Sequence, residues 1–359
     1  MTTTLIEDDK RPATRGSSVW SSIIRTVLTN RTILVAILLV IVVVAMVAFD
    51  AAGLLRGSYN ARYLASATIN VVPLAMLGLA QAFVIVSGRG GIDLSVGSMV
   101  SLVGMVFGLA YGQWGVPLGL SVVLALIVGG VLGAINGLLV AYVGFPALIA
   151  TLATFYAYGS FALIMNGSKP VNSPEIQGLY STARAVQLLG EDAPRIPLGI
   201  FLFLIPTAVI SWYLLNRAPF GRRLYAIGTN DVAGQWSGIN VPWARMRAYM
   251  ASGVISGLVA IVTVGQFASA RPDAGNAGNG MALPAITIAV LGGVAITGGI
   301  GRVSGIVLAA FLVVWLNAGI LLLFPGNQGT QYQLFALGAV LVLAALLNGY
   351  TNRRFHVLS

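Results

Sequence analysis

Few residues in this sequence can do chemistry. Cys is absent, the only His is His356 near the end of the chain, and Asp and Glu together number 10. A thiolate metal site, a disulfide framework and a nucleophile–imidazole pair therefore have no raw material. Two stretches concentrate what remains. Residues 87–98 read SGRGGIDLSVGS, placing Asp93 with Gly91, Ser95 and Gly97 at the boundary between two apolar runs. A carboxylate there can accept free backbone N–H groups at the start of the following helix and meet its positive dipole end. It can equally serve as a moving gate, and the residues leave both roles open. An Arg89–Asp93 pair is a further expectation. The second stretch runs from Gly228 to Gly238, with Asn230, Asp231, Ala233, Trp236 and Ser237 between them. Gly228 and Asn230 form an N-terminal turn, DVAGQW a short amphipathic helix, and Gly238 a stop.

The elements that hold these residues follow from composition. Of 359 residues, 57% are hydrophobic and 8% charged, with a mean hydropathy of +0.90. A soluble domain carries roughly a quarter of its residues charged, so this chain cannot cover itself against water. It is an integral membrane protein, and its expected fold is an all-α polytopic membrane-spanning helical bundle. Ten apolar stretches approach the length that crosses about 30 Å of hydrocarbon: 33–49, 64–88, 92–112, 116–143, 145–166, 196–216, 245–268, 281–297, 303–324 and 331–349. Residues 33–350 thus form one transmembrane domain. Ahead of it, residues 1–32 form a basic cytoplasmic tail. In that tail Trp20, Ile23, Ile24, Val27 and Leu28 have the spacing of a helix lying on the membrane surface. Residues 351–359 form a short cytoplasmic tail.

The net charge of +10 is an orientation signal. With both termini in the cytoplasm, fourteen of the 20 Lys and Arg fall inside: Lys10, Arg11, Arg15, Arg25, Arg31, Arg89, Arg217, Arg222, Arg223, Arg245, Arg247, Arg302, Arg353 and Arg354. Arg56, Arg62, Lys169, Arg184, Arg195 and Arg271 fall outside. This is the asymmetry of the positive-inside rule. No basic stripe is interleaved with aromatics, so nucleic acid is not an expected partner. Glycines at four-residue spacing (Gly104, Gly108 and Gly112; Gly129, Gly133 and Gly137; Gly253 and Gly257) predict close helix contacts.

The apolar runs hold essentially no ionisable residue in their interiors. An ion-coupled secondary transporter needs such groups at mid-membrane to bind its driving ion, and a membrane enzyme needs a cluster of acids, His or Cys. An energy source outside the membrane domain is therefore expected. Polar residues within the runs (Asn70, Gln81, Asn136, Thr151, Thr154, Asn166, Gln266 and Asn317) are candidates for a solute path. Each can instead hydrogen-bond a neighbouring helix.

Five stretches, SGRGGIDLSVGS, FPALIATLATF, NGSKPV, FGRRLYAIGTNDVAGQWSGINV and VLGGVAITGGIGRVSG, resemble in this order the signatures of the ribose-type sugar permeases. Those are membrane subunits of bacterial ATP-binding-cassette importers, and the similarity spans roughly residues 60–350. The resemblance implies a non-catalytic transport subunit that works with a second permease copy, a cytoplasmic ATPase and a periplasmic solute-binding protein. ATP and Mg would sit on the ATPase, with no cofactor or metal on this chain. The solute would be a pentose, hexose, polyol or autoinducer-2-like sugar, with nucleosides or branched-chain amino acids as the non-sugar alternative. It also implies that Gly228–Ile239, within the cytoplasmic loop 217–244, is the helix that docks into the ATPase. Here Asp231-Val232-Ala233 stands for the usual Glu-Ala-Ala, Trp236 for Leu, and Gly234 for an Ala whose loss costs the helix up to about 1 kcal/mol. Arg89-Gly90 is an insertion relative to the usual spacing. These departures point to a matched, cognate ATPase.

Overall fold

A computed structural model of the chain describes residues 30–183, 185–186, 194–277 and 280–355. The surface helix expected between residues 17 and 31 falls almost wholly outside them. The described chain is helical apart from turns and one antiparallel pair of two-residue strands, Ala185–Val186 with Ile196–Pro197. In order the helices are α1 (Arg31–Ala51), α2 (Ala61–Ala67) continuing through a 3-10 turn into α3 (Val71–Val86), α4 (Val96–Gly112), α5 (Leu118–Ala141) and α6 (Ala147–Ile164). Two short outer helices follow, α7 (Pro174–Gly178) and α8 (Tyr180–Ala183). Then come α9 (Ile205–Asn216), entered through a π-helical turn at Ile200–Leu204, α10 (Pro219–Thr229), α11 (Asp231–Trp236) and α12 (Val241–Phe267). The chain closes with α13 (Ala282–Leu291), α14 (Val303–Leu323) and α15 (Asn327–Phe355).

Each of the ten hydrophobic stretches holds one apolar helix, but helix length does not confirm the expected count of about ten spans. Among the described residues, seven helices are long and apolar enough to cross a membrane, or eight if Ile200–Asn216 and α10, bent by 64°, make one span. The shortfall lies in α4 and α13, of 17 and 10 residues. The apolar stretches 64–88, 92–112 and 281–297 reach into the glycine-rich links 87–95 and 292–302. Their backbone instead spends that length turning.

The bundle centre is α3, α4 and α12, which are almost wholly buried, whereas α1, α5 and α6 leave Val40, Val44, Leu120, Ile127 and Ile164 more than half exposed. Outward apolar faces on helices of this length are lipid-facing surface. The most extensive pairing joins α5 to α12, and glycine spacing produces it. A Cβ on Gly129, Gly133 or Gly137 would collide with the backbone of α12 at Gly253, Tyr249 and Met246 respectively, so the two backbones touch where a larger residue would hold them apart.

The basic residues sort by end. At one end Arg89 and Arg245 lie around Asp231, α10 with Arg222 and Arg223 leads into α11, and Arg302 donates to Asn30 at the start of α1. At the other, Arg56 bonds the end of α14 through its backbone, and Val171, two residues from Lys169, pairs with Ala270 beside Arg271.

Candidate functional site

The site has two levels, joined by the link 87–95. The upper level is Asp93, fully buried. α4 starts at Val96 with Ser95 at its N-cap, and no side chain bonds that helix start in the usual capping position. Asp93 instead closes a local turn: its Oδ1 accepts the Ser95 backbone N–H at 2.9 Å and the Ser95 hydroxyl at 2.7 Å. The same oxygen receives Asn136 Nδ2 of α5 at 3.3 Å, and Oδ2 receives the Ser252 hydroxyl of α12 at 3.4 Å. Gln81 of α3 clamps the backbone of Asp93 from both sides, its amide nitrogen donating to the carbonyl and its oxygen accepting the N–H at 3.2 Å. Asn136 also donates to Ser95 Oγ at 2.7 Å and accepts from Thr154 of α6 at 2.7 Å. Thr151 reaches the Ile92 carbonyl at 3.3 Å. The carboxylate thus collects donors from two helices, α5 and α12, besides its own turn, and all of them are neutral. A chain of bonds running Thr154 to Asn136 to Ser95 to Asp93 polarises each member.

The expected Arg89–Asp93 pair does not form. Arg89 has a left-handed backbone (φ 55°), which directs its side chain to the lower level, where its Nε lies 3.6 Å from Asp231. The expectation of bundle interiors without charge is also corrected, because both Asp93 and Arg245 are buried. Hydropathy masks them: each is a single charge at the end of an apolar run, and neighbouring helices then cover it.

The lower level is built on α11. Asn230 caps it, its side-chain oxygen accepting Val232 N at 2.9 Å and Ala233 N at 3.0 Å, and Asp231 in the first turn suits the helix dipole. The helix ends before Gly238, whose φ of 78° a side chain would resist. Ser237 donates to the Ala233 carbonyl. Val232 and Trp236, one turn apart, are 62% and 87% exposed. No other described part of the chain covers them. On the inner side, Asp231 Oδ1 accepts Arg245 Nη2 at 2.6 Å, and the same Nη2 donates to the Ser87 carbonyl at 3.0 Å. Arg89, Asp231, Gln235, Asn240 and Arg245 line an open cavity of about 780 Å³.

Glycines press the junction together. Gly88 and Gly298, both at positive φ, meet Gly228 at the end of α10, and a Cβ on Gly228 would strike the Val86 carbonyl and the Gly299 amide. The Gly299 amide itself donates to Val86 at 3.1 Å. Both links therefore seat on Gly228 in the last turn of α10, three residues before α11.

The solute-path candidates do not converge. Gln81, Asn136, Thr151 and Thr154 belong to the Asp93 network. Asn70 lies exposed at the 3-10 turn, and Gln266 bonds the Ile69 carbonyl next to it. Asn166 closes a turn onto the Lys169 carbonyl, and the Asn317 carbonyl accepts Gln333. Gly91 and Gly97 serve close packing: a Cβ on either would meet a backbone carbonyl, of Val84 and Gly275 respectively. A separate cavity of about 310 Å³ is lined by Leu94, Leu152, Phe155, Asn276, Met281 and Leu283. Sequence reading missed Ser252 and the inward role of Arg245. A signal existed, since Arg245, Tyr249 and Ser252 fall on one face of α12 at helical spacing. Among the described residues no group of three or more acids, His or Cys gathers to hold a metal.

Residues 63–345 match the model of the family described as branched-chain amino acid transport system / permease component. Curated relatives include the autoinducer 2 import system permease protein LsrD of Klebsiella pneumoniae (36% identical; 82% of this chain, 88% of the relative). The proteins of the same name from Enterobacter sp. strain 638 (35%; 82% and 89%) and Yersinia enterocolitica (33%; 78% and 81%) are similar over comparable lengths. No solved structure matches this chain.

Proposed function

This chain belongs to the permease-component family of the branched-chain amino acid transport systems, and from that premise we propose that it is the inner-membrane subunit of an ATP-driven importer of a small sugar-like solute. The observation that carries this reading is α11. A six-residue helix with a capped start and a glycine stop presents Trp236 and Val232 outward at the basic end of the bundle. An exposed tryptophan costs solvation unless a partner covers it, and large aromatics commonly anchor small interfaces. The partner is a cytoplasmic ATPase that supplies the hydrolysis this chain has no residues to perform. The other partners are a second permease copy and a periplasmic binding protein that delivers the solute. The solute class rests on the relatives named as autoinducer 2 importers, so a furanose-like polyol is the leading solute and a branched-chain amino acid the competing one.

The test is reconstitution with the cognate ATPase and binding protein. Trp236→Ala is expected to leave the membrane domain folded but to lose ATPase from the purified complex, cutting hydrolysis and uptake together. A Trp236→Ala complex that keeps its ATPase and imports normally moves the docking site elsewhere. A second reading, ion coupling, draws on the buried Asp93 and predicts that an uncoupler abolishes uptake while ATP is maintained. The importer reading predicts uptake unaffected by it.

A further inference from the structure

Asp231 sits on the helix that faces outward and holds a guanidinium that faces inward. Its carboxylate is the meeting point of two arginines, and the two differ. Arg89 is exposed and lies at 3.6 Å, a loose pair. Arg245 is 2% exposed, lies at 2.6 Å, and spends the same Nη2 on the carbonyl of Ser87. Ser87 caps the end of α3 and opens the link 87–95. Six residues later that link carries Asp93, held by α3, α5 and α12 through neutral hydrogen bonds. The next residue, Leu94, forms part of the wall of the separate cavity beside Asn276 and Met281.

We propose that Arg245 is a positioning residue that transmits displacement of α11 to the link 87–95, and through it to the cavity wall at Leu94. This rests on the importer reading above and adds the route inside this chain. Three features favour a transmitter over a simple staple. One Nη2 group serves both partners, so moving Asp231 alters the bond to Ser87 directly. The glycine contacts at Gly88, Gly228 and Gly298 leave α10 and the two links little freedom to slide independently. Arg245 Nε and the Tyr249 hydroxyl, one turn apart on α12 between the two levels, are buried with no hydrogen-bond partner. Packed interiors keep such orphans rarely, and a pair of them gives the joint a second bonding arrangement to move into. A link anchored at Asp93 by several weak bonds, instead of one ion pair, can shift by re-pairing them.

The experiment uses the full chain with its cognate ATPase in nanodiscs and exploits the lack of native cysteine. Leu94→Cys is introduced as the only thiol, and its maleimide labelling rate is compared between the nucleotide-free and ATP–vanadate-trapped complexes. In the parent the rate is expected to change several-fold. With Arg245→Lys added, the ratio is expected to fall toward one while the ATPase still co-purifies and still hydrolyses ATP, and Asp231→Asn is expected to lower the ratio likewise. Asp231→Glu, which keeps the charge, is expected to restore much of the change. A ratio that stays at the parental value in both Asp231→Asn and Arg245→Lys overturns the proposal, as does a parent whose Leu94 thiol never responds. Loss of the ATPase from both variants, with the permease still folded by size exclusion, overturns it too, because the pair then acts in docking. If the unmodified chain fails to bind the ATPase, the importer reading itself fails, which separates the two claims.

Discussion

Replacing Asp93 by Leu and by Asn separates acceptor geometry from charge, and the structure gives the size of each effect. Leucine removes every acceptor. Ser252 can turn its hydroxyl to the carbonyl one helical turn back, as Ser256 does at 2.9 Å, and Asn136 keeps its bond to Ser95 Oγ at 2.7 Å. The N–H and O–H of Ser95 have no such refuge, since both point at Asp93 Oδ1. Two orphaned buried donors at about 1–3 kcal/mol each place the cost near 2–6 kcal/mol. Asparagine keeps an oxygen where Oδ1 stood, so both Ser95 bonds survive as neutral ones. Its amide nitrogen falls where Oδ2 meets the Ser252 oxygen, which can accept. The lost charge assistance is offset by removing a buried charge that has no cation partner, leaving a net change within about 1 kcal/mol. Thermal unfolding in detergent, followed by the monodisperse fraction on size exclusion, should place Asp93→Asn beside the parent and Asp93→Leu clearly below. A leucine variant that melts with the parent would show that the network stabilises nothing. An asparagine variant that melts normally but imports nothing would show that the negative charge itself is used in transport.

Thiol labelling tests orientation: Lys169→Cys is expected to react with an impermeant reagent only from the periplasm, and Asn230→Cys only from the cytoplasm. Both reacting from one side would refute the assignment. Gly228→Ala is expected to abolish transport and lower folded yield, because its Cβ meets the backbone of Val86 and Gly299; Gly119→Ala, with open space around it and no positive φ, should lose far less, the difference being read as the yield of folded protein. Asn230→Ala removes the acceptor of two backbone N–H groups on α11. It should weaken ATPase retention by the equivalent of about 0.5–2 kcal/mol, measured as a shift in the ATPase concentration needed for half-maximal hydrolysis.

What the sequence made legible follows the range of each physical signal. Hydropathy and glycine spacing are local, and they located every apolar helix and the α5–α12 contact. Cap chemistry is also local, and Asn230 and Gly238 bound α11 where their types require. Helix limits were less legible at 87–95 and 292–302, because hydropathy averages over a window and does not show where a glycine-rich link turns. The polar residues were harder still. Gln81, Asn136, Thr151 and Thr154 are spaced along three helices with nothing in the sequence to say that they gather around the one turn at Asp93. In lipid such residues must find partners, and which partner depends on a packing that only the folded bundle defines.

That packing also changes what the polar residues are for. A solute path needs groups that present unused donors and acceptors to a cavity, whereas Gln81, Asn136 and Thr154 spend theirs on each other and on Asp93. They hold a link that has glycine for hinges, a carboxylate without a cation for its centre, and an arginine at its foot. A rigid strut would be better served by one ion pair at Asp93, and Arg89 lies in the same link to provide it. Arg89 instead leans toward Asp231 on the helix that faces outward. The placement of charge thus concentrates the strong, directional pairing at the cytoplasmic joint and leaves the membrane level to neutral bonds of similar strength. Such bonds exchange at low cost. An element required to move with α11 while remaining fully hydrogen-bonded in lipid needs that division.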